Sequence, residues 1–250
     1  AYSTYTNEYL AETLRWLAAY GVPVILLSAT LPTNRKNELV TAYGGQITKK
    51  DLALAGQGYP LLTLVDSEGT SEKAVPPRPD DMHAKMEIID DSVEQLTDLV
   101  SGLCSDGGVA LIICNTIKRA QEAFAALEEA FPGDVRLHHS AFTGLDRTRH
   151  EEELLSELGP ASHREQGRPT LRIVCGTQTL EQSLDIDADV LITDIAPMDL
   201  IIQRAGRLHR HERPDSDRPE KLRIARIYIR GIANTSPMPE WDPGLSLIHI

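Results

Sequence analysis

The sequence has 250 residues, 41% of them hydrophobic, and a formal net charge of −12. That apolar content builds one large domain or one and a half ordinary ones with true cores, which excludes a disordered chain. No apolar run approaches the ~20 residues of a membrane helix, and Cys104, Cys114 and Cys175 are too few and too scattered for a disulfide framework or a zinc knuckle. A soluble protein of a reducing cytoplasm is expected. In chain order, "TNEYLAETLRWLAAYG" spaces Leu10, Leu14 and Leu17 as a helix does and stops at Gly21; because the pattern is already helical near Ala1, the start is read as a fragment's. "VPVILLSAT" reads as a buried strand, "TNRKNELVTAYGG" as a helix closed by Gly44 and Gly45, and "YPLLTLVD" as a strand. Residues 67–82, rich in Pro, Ser and charge, read as a linker after a first domain at 1–66.

Beyond it, strands are predicted at "HAKMEII", "VALIIC", "VRLHH", "LRIVC", "DVLIT" and "RIARIYI". Helices fall between them near 91–103, 116–130 and 144–158, and again over "QRAGRLHRH", 203–211. This alternation over 83–232 predicts an α/β fold, a parallel sheet with helices on both faces. The tail 233–250 looks irregular, and its "GLSLIHI" continues no pattern.

In such a sheet, ligands gather at the carboxyl ends of the strands. There the sequence places Ser28, Ala29 and Thr30, then Thr116, Ser140 and Thr177, small or hydroxyl residues suited to phosphates. Each alone is more often only a helix cap; their recurrence on one edge is the signal. "QRAGRLHRH" (203–211) is a second signal. Continued as a helix, it sets Gln203, Arg207 and Arg210 within roughly 60° of one another and Arg204 about 100° from Gln203, opposite Ile201, Ala205 and Leu208. Gly206 inside such a helix costs about 1 kcal/mol, which marks a close approach. Residues 204–230 hold nine Lys or Arg against four Asp or Glu in an otherwise acidic chain.

"LLSATLP", "LIICNT", "HSAF", "IVCGTQTLEQSLDID" and "QRAGRLHR" occur in the order of motifs III, IV, IVa, V and VI of superfamily 2 DExH helicases, which these stretches resemble. "EQSLDID" followed by "QRAGRLHRH" is similar, more narrowly, to the CRISPR-associated helicase–nuclease of type I systems. The resemblance covers about residues 1–230 and implies RecA-like lobes: the end of a first lobe and a complete second one. It implies an ATP-dependent DNA helicase that acts in antiviral defence on single-stranded DNA, with ATP and Mg2+, an RNA-guided surveillance complex and an HD nuclease domain in the parent chain. By motif position, Arg207 and Arg210 would reach the ATP phosphates, with Gln203 and Arg204 as companions facing the first lobe's acidic box. Asp185 would lie near the nucleotide, Thr116, Ser140 and Thr177 at the DNA, and Ser28, Ala29 and Thr30 would couple the two.

The departures bound the expectation. Neither GxxxxGK[ST] nor a DExH box occurs in these residues, so the chain alone is expected to be inactive. "HSAF" lacks the arginine common in motif IVa, and His209 stands where other superfamily 2 proteins commonly carry glycine. Three other readings remain: a different DExH helicase, for example in repair; a RecA-like module that binds nucleic acid without catalysis; and a metal enzyme using Asp185 and Asp187 with His138, His139, His209 or His211. The last lacks any ligand triplet at helical or zinc-like spacing.

Overall fold

A computed structural model of the chain describes residues 4–28, 31–45, 60–76, 83–182 and 184–232. The chain divides into two compact units, one up to Asp81 and one from Met82. In the first, α1 (Thr4–Ala19) packs on α2 (Thr33–Ala42), burying Ala11, Leu14, Leu39 and Ala42. Strand β1 (Leu61–Asp66) pairs antiparallel with β2 (Gly69–Ala74). Residues 69–74, expected as linker, are therefore the second arm of a hairpin. Its polar "GTSEKA" hides the strand from a hydrophobic pattern, and Glu72 within it accepts from Lys36 of α2 and, at 3.1 Å, from the Thr63 hydroxyl.

"VPVILLS" corrects a second expectation. Residues 22–28 form no strand, and Ile25 and Leu27 are 84% and 92% exposed. A strand exists only where a neighbour completes its ladder, and among the described residues β1 and β2 pair only with each other. The residues expected to couple nucleotide and DNA sit at the end of this segment: Ser28 is exposed, while Ala29 and Thr30 lie outside the described residues, as does the tail 233–250.

The second unit is a six-stranded parallel sheet in the order β3-β8-β7-β4-β6-β5. In sequence the elements are β3 (Lys85–Ile88), α3 (Val93–Leu103), β4 (Gly108–Ile113), α4 (Ile117–Ala130), β5 (Val135–His138), α5 (Gly144–Leu158), β6 (Leu171–Gly176), α6 (Thr179–Gln182), β7 (Val190–Asp194), α7 (Met198–Ala205) and β8 (Arg226–Arg230). The central strand β4 alternates its faces. Ala110 and Ile112 pack with Leu96 and Val100 of α3 and Leu127 of α4, while Val109, Leu111 and Ile113 pack with Leu154 and Leu158 of α5, Leu180 of α6, and Leu208. Burial on both sides is why these strands read as continuous apolar runs. No helix among the described residues is long and apolar enough to cross a membrane.

Candidate functional site

The predicted site residues of the second unit fall into two groups. Because β4, β6 and β5 are neighbours in the sheet, their carboxyl ends bring Thr116, Thr177 and Ser140 to one edge. Thr116 caps α4, its hydroxyl accepting from the Arg119 amide at 3.3 Å. Thr177 is buried, donates its amide to the His138 carbonyl at 3.3 Å, and accepts from the Leu180 amide at 3.0 Å, which starts the short helix α6. Ser140 is exposed. Gly176 before Thr177 is obligatory: a Cβ there would stand 2.3 Å from the His138 carbonyl oxygen and 2.5 Å from Leu180 Cδ1.

The second group lies where residues 180–189 meet 203–211, and here the helix reading is corrected. α7 ends at Ala205 with Gly206 as its C-cap. Beyond it the chain pairs with the approach to β7: the Ala188 amide donates to the Arg207 carbonyl at 2.9 Å and the His209 amide to the Ala188 carbonyl at 3.0 Å. These long-range bonds outcompete continued helix, so Arg207 and Arg210 project from a loop and share no helix face with Gln203. Nor does Gly206 mark a close approach, since a Cβ there would meet only the carbonyl oxygens of Gln203 and Ile202, at 3.2 and 3.7 Å. His209, the one non-glycine residue with positive φ among those described, sits at +47°, a region glycine enters without penalty. Its ring Nε2 lies 3.2 Å from the Asp189 carbonyl oxygen.

Arg204 also departs from expectation, because it does not belong to an outward positive face. It is fully buried, with Nε donating to Glu181 Oε1 at 2.8 Å, Nη1 to the Thr193 hydroxyl at 2.6 Å and the Asp194 carbonyl at 3.0 Å, and Nη2 to Asn115 Oδ1 at 3.0 Å. This arginine ties α7 to α6 and to the ends of β4 and β7. Burial pushes the Glu181 carboxyl up, with Arg204 opposing it. Gln203 is half-buried on the same helix.

Arg207 is half-buried and donates to the carbonyls of Leu180 (3.3 Å) and Glu181 (2.6 Å). Arg210 is exposed, with Nε 2.5 Å from Asp185 Oδ1. Asp185 is half exposed, and the hydrogen bond from Arg210 holds its carboxyl below the usual range. Arg210 and Asp185 are thus paired at the surface, and Arg207 lies near enough to interact electrostatically with both.

Two polar networks were not anticipated. Arg119 bridges Asp194 (2.9 Å) and Asp91 (2.5 Å), and Arg230 donates to Asp91 at 2.9 Å, fastening the carboxyl edge. Near the amino ends of β4 and β7, buried Asp187 and Asp189 receive Arg168, Arg213 and Arg218. Burial raises the Asp187 carboxyl, but the arginines more than reverse it, Arg218 first. The available signal was charge inside an apolar run, "DIDADVLITD", since buried carboxylates require partners. Asp187 is therefore committed to arginines, and no group of three or more His, Cys, Asp or Glu placed to hold a metal occurs among the described residues. The candidate ligands His138 and His139 are buried with no hydrogen-bond partner on either ring nitrogen.

Residues 106–213 match the family model described as "CRISPR-associated nuclease/helicase Cas3, C-terminal". A Streptococcus thermophilus protein of that name is 40% identical over 256 aligned residues, covering 100% of this chain and 26% of its own length. The crystal structure of T. fusca Cas3 with AMPPNP superimposes with a TM-score of 0.83 at 28% identity, covering 97% of this chain and 30% of that one. A structure titled "CRISPR RNA-guided surveillance complex, pre-nicking" matches with a TM-score of 0.78 at 26% identity, covering 99% of this chain and 33% of its counterpart. The chain therefore spans about a quarter to a third of the proteins it matches. Over that span, with a RecA-like parallel sheet, it belongs to the family of CRISPR-associated Cas3 helicases.

Proposed function

We propose that this chain is part of the motor of a type I CRISPR interference enzyme, an ATP-driven DNA translocase that unwinds target DNA for degradation in antiviral defence in the cytoplasm. The observation that carries the reading is the meeting of Asp185, Arg207 and Arg210 on one surface, behind which buried Arg204 fixes α6 and α7. A guanidinium stays charged and can take two phosphate oxygens at once. Arg207 and Arg210 accordingly bind ATP phosphates, Arg210 exchanging its exposed Asp185 partner for them. Structures of T. fusca Cas3 with ATP, AMPPNP and ADP support the assignment. Mg2+ would supply charge neutralisation on the phosphates; no group of three or more His, Cys, Asp or Glu placed to hold a metal occurs among the described residues, and its principal ligands are proposed to lie outside them.

On the same reading, Thr116, Ser140 and Thr177 lie along single-stranded DNA, Gln203 accompanies the two arginines, and Ser28, Ala29 and Thr30 couple nucleotide state to grip. Residues 1–66 close a first lobe and 83–232 form the second. An RNA-guided surveillance complex and an HD nuclease domain are the proposed partners, the former by likeness to a chain in the structure of such a complex. The test is Arg207→Lys beside Arg207→Ala in the full-length enzyme. Both are expected to abolish most ATP turnover with nucleotide-free DNA affinity retained. Near-normal turnover in the lysine variant, or lost DNA binding with turnover intact, assigns the basic surface to nucleic acid instead.

A further inference from the structure

The loop that presents Arg207 and Arg210 has no helix to fix its shape. Three clasps hold it against residues 187–188. Two are the backbone bonds through Ala188; the third is the Arg210 amide donating to Asp187 Oδ1 at 2.7 Å. Only this third clasp depends on a side chain.

That side chain is itself gripped. Asp187 Oδ2 accepts from Arg213 Nε and from Arg218 Nη2 at 2.9 Å, and Oδ1 accepts a further bond from Arg218 Nη2 at 3.1 Å. Arg213, three residues beyond Arg210, has a fully buried side chain. Its other nitrogens donate to the carbonyl of Ser162 and, at 2.9 Å, to that of Gly159, both in the loop after α5. Arg213 therefore locks Asp187 from behind while Asp187 holds the Arg210 backbone in front. We infer that Arg213 is a positioning residue for Arg210, setting through Asp187 the place from which Arg210 meets an anionic ligand. This rests on the nucleotide reading above, and it adds a residue outside the "QRAGRLHR" motif.

A planar fork is needed because one guanidinium spans a carboxylate and two carbonyls; a lysine ammonium is a single point with a different reach. The first experiment compares amide hydrogen exchange in the full chain with and without Arg213→Gln. Exchange at Arg210 is expected to speed up at least tenfold, with the amides of β4 and β6 still protected. The second places the same substitution in the full-length enzyme. There, turnover at saturating ATP is expected to fall about tenfold while nucleotide-free single-stranded DNA affinity stays within twofold. Unchanged protection at Arg210 overturns the inference, as does turnover within twofold of native. If Arg213→Gln does not fold, Arg213→Lys carries the same two measurements, with a smaller gain in exchange expected and the same overturning results. Arg210→Ala separates the two ideas: normal turnover in that variant sinks the nucleotide reading, whereas the exchange result reports on positioning alone.

Discussion

Arg204→Met removes a charge from the interior while keeping much of the side-chain volume. Both partners of the Arg204–Glu181 pair have fully buried side chains, so the substitution leaves a carboxylate in a low-dielectric site without its counter-ion, which costs about 3–5 kcal/mol. The Thr193 hydroxyl, the Asp194 carbonyl and Asn115 Oδ1 each lose a donor as well, at about 1 kcal/mol apiece where no replacement is found. The expected loss therefore lies at the upper end of that range. Its pH dependence has a defined sign. The folded-state pKa of Glu181 is raised by burial, and without Arg204 it rises further. A raised group contributes full stability below its unfolded pKa and loses it as pH climbs through the folded value. The deficit of Arg204→Met is thus smallest at and below the unfolded carboxyl pKa of about 4.3 and grows as the pH rises above it. Urea unfolding followed by far-ultraviolet circular dichroism at several pH values measures it, with Arg204→Met/Glu181→Gln expected to recover part of the loss. A deficit below about 1 kcal/mol at pH 8, or one that does not change with pH, refutes the buried-pair reasoning.

Leu208 is 1% exposed within the core, and Leu208→Ala should cost about 2–5 kcal/mol in the same unfolding assay. Gly176→Ala should lower the melting temperature clearly, since its Cβ would overlap the His138 carbonyl; a normal melting temperature contradicts that geometry. At His209, Gly should be tolerated within about 1 kcal/mol, whereas Val at φ +47° should lose about 1–2 kcal/mol or more. His138 is buried and its pKa is lowered mainly by that burial; a lowered histidine contributes stability above its unfolded pKa and loses it as pH falls toward the folded one. His138→Leu should therefore flatten the fall in stability below about pH 6.5, and an unchanged slope assigns that fall to other groups.

The sheet of the second unit was legible because β4, β6 and β7 are buried on both faces and leave unbroken apolar runs bounded by turns. The edge residues Thr116, Ser140 and Thr177 followed from the rule that parallel strands present their carboxyl ends to ligands. What escaped depends on pairing across the chain. "VPVILL" has strand composition, yet a strand needs a neighbour. "GTSEKA" has no strand pattern, yet pairs with β1. The end of α7 is set by bonds between Ala188 and residues 207–209, which no local periodicity contains. For Arg204, helix geometry gave an angle without revealing that Glu181 and Asn115 wait inside, so charge was mistaken for exposure.

The pairing of β3 with β8 has a consequence for how the unit is made. The unit's first described strand, β3, finds its partner only when β8 emerges, since Lys85 aligns with Arg226 and Ile88 with Ile229. Until then β3 is a bare edge, with Met86 and Ile88 about half exposed even in the finished fold. Lys85 and Glu87 alternate with them, and charges so placed discourage pairing with another nascent chain. Closure of this long loop costs only about 0.6 kcal/mol more per doubling of its length, so the delay burdens the rate of folding more than its outcome. A ribosome stalled before Arg226 would hold a sheet lacking one margin, making the final strand the step that commits the nascent unit.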